Sequence, residues 1–71
     1  MENKIKKIME DIFKVTISDS FSKASTDKWD SFTHLDLMVK LENEFNISFT
    51  PDEIGKIESY KDIVEIINEK I

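Results

Sequence analysis

A chain of 71 residues with 15 acidic and 10 basic side chains, a formal net charge of −5 and no cysteine has room for one small domain. At that size folding buries roughly 60% of the unfolded surface, which leaves little wall for an enclosed catalytic cavity. The acidic balance lacks the basic footprint of a nucleic-acid binder and favours partners with basic surfaces. Without cysteine there is no disulfide framework or thiolate metal site, and a single histidine argues against a histidine metal cluster.

With 39% hydrophobic residues the chain is equipped to fold. One glycine and one proline supply too few turn residues for an all-β architecture. The segment Met1–Phe13 breaks its apolar residues with lysine, asparagine and acids, so it reads as neither a signal peptide nor a membrane span. Within it Ile5, Ile8, Met9, Ile12 and Phe13 recur at helical spacing, which predicts a first amphipathic helix of about three turns. Thr16–Trp29 is rich in Ser, Thr, Asp and Lys and has no sustained period. It reads as a long loop, and loops beyond roughly 12–15 residues need anchoring in a compact domain; Phe21 and Trp29 are the expected pins.

A second helix is expected from Asp30–Ser31 to about Phe45. Asp30 is suited to N-cap it, and Asn46 can close it in the left-handed conformation. Thr50-Pro51-Asp52-Glu53 carries the marks of another helix start, with Thr50 as cap, Pro51 at the first helical position and Glu53 completing a capping box. This short helix is expected to reach about Ile57. Ser59, with Asp62 three residues on, starts a last helix whose buried stripe is Ile63, Ile66, Ile67 and Ile71, helped by Tyr60 and Val64. The expected fold is all-α: a single domain over residues 1–71, with three main helices, one short helix and a long first connection.

The second helix has more apolar faces than a surface helix needs. At about 100° per residue, with Ser31 as zero, Leu37, Met38, Leu41 and Phe45 cluster between roughly 240° and 340° and make a core stripe. Phe32, Leu35 and Val39 make a second stripe between roughly 40° and 100°, with Asp36 and Asn43 along one side and Glu42 along the other. Either Trp29 and Phe21 fold over this stripe and it is more core, or it is an open patch with acidic edges that docks a partner. Ser31 lies at its end.

A serine at a helix start is by itself unremarked. Here Trp29-Asp30-Ser31-Phe32-Thr33-His34-Leu35-Asp36-Leu37 lies mid-chain after a long loop, and Leu41-Glu42-Asn43-Glu44-Phe45-Asn46-Ile47 and Thr50-Pro51-Asp52-Glu53-Ile54 follow it in order. The chain resembles the acyl carrier protein family, whose attachment motif is Asp-Ser followed by a large apolar residue. That family's second helix ends in a Leu-Glu-x-x-Phe-Gly-Ile run, and the likeness covers nearly the whole chain.

The resemblance implies a carrier, not an enzyme. A phosphopantetheinyl transferase moves a 4′-phosphopantetheine arm from coenzyme A onto Ser31, with Asp30 helping to position metal and cofactor or acting as cap alone. Acyl or related groups ride on the arm as thioesters. They are received from an acyl- or aminoacyl-loading ligase and presented to downstream biosynthetic enzymes, through contacts at Phe32, Leu35, Asp36, Val39 and Glu42. It further implies an acyl pocket lined by Leu41, Phe45 and Ile57, a monomer, and a cytoplasmic location without membrane insertion. A serine at a helix N-terminus suits that chemistry, because backbone N–H groups there favour a phosphodiester's charge.

Phe32 stands where the family usually has leucine, Trp29 where fatty-acid carriers have a small residue, and Lys40 and Asn43 make the helix less acidic. These departures point to a dedicated carrier in a specialised pathway over bulk fatty acid synthesis. An aminoacyl or peptidyl carrier stays open, although the Gly-Gly that tends to precede that motif is missing, and so does a cofactor-free interaction domain of the same fold. A hydrolase built on Ser31 and His34 would need an orienting carboxylate and an oxyanion hole that the pattern does not supply. His34 itself reads as a packing or surface residue rather than a ligand.

Overall fold

The computed structural model describes residues 1–71 and contains four α-helices: α1 (Glu2–Phe13), α2 (Ser31–Phe45), α3 (Pro51–Lys56) and α4 (Tyr60–Lys70), with a 3-10 turn at Lys23–Ser25 in the first connection. The starts of α2, α3 and α4 each have a local chemical cause. Asp30 Oδ1 accepts from the Thr33 N–H at 2.9 Å, and Thr33 Oγ1 accepts from the Asp30 N–H at 2.9 Å. This reciprocal box satisfies orphan donors at the start of α2. Thr50 and Glu53 build the expected box at α3, with bonds of 2.8 and 3.2 Å. At α4 the cap departs from that pattern. Ser59 Oγ accepts from Asp62 N–H, but the Asp62 carboxylate reaches the Glu58 N–H instead of the cap's own. α1 and α2 end on left-handed residues, Lys14 at φ 59° and Asn46 at φ 55°.

α1 packs against α2 and α4. Its Ile5, Met9 and Phe13 are fully buried, meeting Leu37, Met38 and Leu41 of α2 and Ile63 and Ile67 of α4 in one cluster of 14 buried apolar residues. Ile8 and Ile12 pack partly buried at its margin, as do Phe45, Val64 and Ile66. The last residue of the predicted α4 stripe is a correction: Ile71 is 66% exposed. The helix stops at Lys70, so Ile71 is its C-cap, outside the helical repeat that would keep it on the buried face.

The long connection is held at three side chains, Ile17 as well as the expected Phe21 and Trp29. Trp29 stands 5.1 Å from the Phe13 ring and 6.1 Å from Phe21, and Phe21 stands 5.8 Å from Phe13. Such spacings add to simple area burial. Its backbone is tied as well. Lys23 N–H donates to Glu58 carbonyl and Tyr60 N–H to Phe21 carbonyl, both at 2.9 Å, around an isolated antiparallel bridge between Ser22 and Ser59. A segment that looks unstructured is thus sutured to the α3–α4 connection, and this fixes the ground from which α2 starts.

Candidate functional site

Ser31 is the first residue of α2 and is exposed. It opens onto a cleft of about 450 Å³ lined by Lys23, Trp29, Asp30, Ser31, His34 and Leu35. Two elements build this cleft: the 3-10 turn contributes Lys23, and the start of α2 with the two residues before it contributes the rest. Asp30 is committed to capping. Its hydrogen bond from the Thr33 backbone holds the carboxyl below the usual carboxylate range, with smaller help from the Thr33 hydroxyl and Phe32 N–H. The side chain therefore stands as an anion immediately before Ser31.

Underneath, His34 is buried and makes two hydrogen bonds. The Trp29 indole N–H donates to His34 Nδ1 at 2.9 Å, and His34 Nε2 lies 2.7 Å from the Ile54 carbonyl. An indole nitrogen can only donate, so Nδ1 is the acceptor and Nε2 carries the proton it gives to Ile54. That carbonyl belongs to the last turn of a six-residue helix, where carbonyls have no partner within the helix. His34 therefore closes α3 against α2 and fixes Trp29 in one orientation. Its ring nitrogens are both occupied, which removes it as a base for Ser31 and with it the Ser31–His34 hydrolase reading. Of the packing or surface role expected for His34, packing is the one observed. The residue is also a polar joint between three segments, a role visible only in three dimensions.

The second stripe of α2 is open. Phe32 is 79%, Leu35 56% and Val39 53% exposed, while Trp29 and Phe21 are buried against Phe13 and leave the ridge uncovered. Its acidic edges are weaker than the pattern suggests. Asp36 pairs with Lys40 at 2.8 Å, and Glu42 Oε2 accepts from Phe49 N–H at 2.8 Å. Glu42 is thereby a brace for the α2–α3 connection, and the apolar ridge is bordered by the Asp36–Lys40 pair on one side and the Glu42 carboxylate on the other. Replacing Val39 by arginine is expected to leave stability within about 0.5 kcal/mol of wild type, the usual range for surface changes. A urea titration showing a loss of several kcal/mol would mean that the ridge is core.

Leu41 and Ile57, expected to line an acyl pocket with Phe45, are fully buried, and Phe45 is partly buried against the same cluster. None of the three lines a cavity; they act here as packing. Sequence reasoning missed Thr33, which completes the α2 cap, and Lys23, which shares the cleft with Ser31. The Asp-x-x-Thr spacing was a usable signal for the first. Nothing local announces the second, because the loop bridge to residues 58–60 places it. No helix is long and apolar enough to cross a membrane.

No protein-family model matches the chain, and no curated protein matches it in sequence. Solved structures do. A chain described as an acyl carrier protein from Mycobacterium tuberculosis superposes with a TM-score of 0.86 at 20% identity, covering 96% of this chain and 95% of its own. The holo acyl carrier protein of Geobacter metallireducens, solved by NMR in solution, superposes with a TM-score of 0.84 at 25% identity, covering 97% of this chain and 83% of its own. The four helices and the long sutured first connection give this chain the fold of these two carrier proteins, and in this chain an exposed serine opens the second helix.

Proposed function

We propose that the chain carries acyl or related groups on a 4′-phosphopantetheine arm attached to Ser31. The observation that supports this most is the exposed Ser31 hydroxyl at the first position of α2, facing an open cleft, with an uncovered apolar ridge continuing along the same helix. The residues present fit such a group. The serine is accessible to a transferase, the cleft beside it has space, and the positive end of the α2 backbone dipole favours the negative charge of a phosphodiester.

In the attachment step, Ser31 Oγ forms a new bond to phosphorus as the pyrophosphate linkage of coenzyme A breaks. The adenosine bisphosphate departs, and the hydroxyl proton passes to a base of the transferase. When bound, the arm supplies a terminal thiol on which cargo is held as a thioester. The chain's own residues do the rest: Asp30 and Thr33 hold the helix start, His34 and Trp29 fix it against α3 and the loop, and Phe32, Leu35 and Val39 meet partner enzymes. Asp36 lies at the border of that contact. Tethering raises the effective concentration of cargo at each docked enzyme without a catalytic group on the carrier. An interior site between Leu41, Phe45 and Ile57 would require the helices to part when cargo is loaded.

Incubation with coenzyme A and a broad-specificity phosphopantetheinyl transferase is expected to add one phosphopantetheinyl mass to the wild-type protein and none to Ser31→Ala. An unchanged wild-type mass across several transferases would favour a cofactor-free interaction domain. Loading the modified protein with an adenylating ligase and one candidate cargo at a time then separates acyl from aminoacyl carriage.

A further inference from the structure

We propose that Lys23 is the counter-charge for the phosphodiester on Ser31, holding the arm's root across the cleft toward the long loop; this rests on the attachment reading above. A phosphodiester at Ser31 Oγ places a negative charge directly after the Asp30 carboxylate, in a chain whose net charge is already −5. Beyond the helix dipole, a side-chain cation would offset that repulsion, and the cleft offers one candidate. Of its six lining residues, Lys23 is the only lysine or arginine. His34 also lines it, but its ring nitrogens are engaged by Trp29 and Ile54. Asp30 is held as an anion by its capping bonds.

Lys23 is also available and well placed. The four ion pairs of the protein use Lys4, Lys6, Lys40 and Lys70, so the Lys23 ammonium is uncommitted. Its backbone is fixed by the bond from its N–H to Glu58 carbonyl, by the Ser22–Ser59 bridge, and by the Ser22–Ser25 cap of the 3-10 turn. The stem therefore starts from a set position across the cleft from Ser31, and only the flexible side chain has to order. The loop suture gains a purpose beyond packing: by tying the loop to Glu58 and Ser59 it holds a loop cation against the modified serine.

The test uses the modified full-length protein, with attachment verified by mass for wild type, Lys23→Gln, Lys23→Arg and Lys28→Gln. Phosphorus NMR reads the phosphodiester directly. At low ionic strength the Lys23→Gln resonance is expected to lie more than a linewidth from wild type, with Lys28→Gln superimposed on wild type and Lys23→Arg retaining a salt-dependent shift. Near 1 M salt, where the screening length falls to about 3 Å, wild type is expected to converge on Lys23→Gln. Coincident wild-type and Lys23→Gln resonances at low salt overturn the pairing, as does an equal displacement in Lys28→Gln. If the wild-type protein gains no arm at all, the attachment reading itself fails and the pairing falls with it. That outcome is distinguished by the mass measurement alone.

Discussion

Trp29→Ala is expected to be the most damaging single substitution in the chain, lowering stability by about 3–5 kcal/mol, the cost typical of deleting a large buried aromatic side chain. Trp29 is 6% exposed, contacts Phe13 and Phe21, and gives its indole proton to His34. Truncation opens a cavity at the junction of α1, the long loop and α2 and also strands His34 Nδ1. A domain of this length is expected to have only roughly 4–10 kcal/mol in total, at 0.05–0.15 kcal/mol per residue. The loss is therefore expected to remove about a third or more of the total. Urea denaturation followed by far-ultraviolet circular dichroism checks this, and Trp29→Phe supplies the comparison. It retains most of the ring packing and loses the N–H, so its midpoint is expected between those of wild type and Trp29→Ala. Equal losses in the two variants would mean that the hydrogen bond, not the packing, carries the residue's contribution.

His34→Leu is the second large effect. Leucine keeps an apolar body of similar reach but leaves two groups without partners, the Trp29 N–H and the Ile54 carbonyl. An unpaired buried donor or acceptor costs about 1–3 kcal/mol, so a total of about 2–6 kcal/mol is expected if both stay buried. The loss has a location as well as a size. Ile54 sits in the short α3, whose six residues cannot sustain a helix without tertiary support. Amide hydrogen exchange is expected to accelerate at α3 and around Trp29 more than at α1. A uniform acceleration would indicate that His34 contributes only general packing.

These two residues also show why parts of the molecule were legible in the sequence and others were not. Helix starts are local chemistry: Asp30, Thr50 and Ser59 bind amides two or three residues ahead, so their pattern is readable along the chain. The core stripes of α1 and α2 follow from the helical repeat for the same reason. Ile17 and Phe49 are buried but lie in aperiodic segments, where no repeat marks them. Ile71 continues a repeat beyond the point at which the helix ends.

The site divides along the same line. Ser31 and the ridge of Phe32, Leu35 and Val39 could be placed from the second helix alone. Their border could not, because Glu42 turns to an amide seven residues away and Asp36 is neutralised by Lys40. The joint of His34 with Ile54, 20 residues on, and the placement of Lys23 by Glu58 depend on tertiary contacts.

The most direct test of the carrier reading is to locate the modification within the chain. Seven serines compete for it in principle: Ser18, Ser20, Ser22, Ser25, Ser31, Ser48 and Ser59. After treatment with coenzyme A and a transferase, peptide fragmentation by mass spectrometry is expected to place a single phosphopantetheinyl group on Ser31 and leave the other six unmodified. A group found on any other serine, or a fully unmodified Ser31 in a protein that has remained folded, would contradict the account.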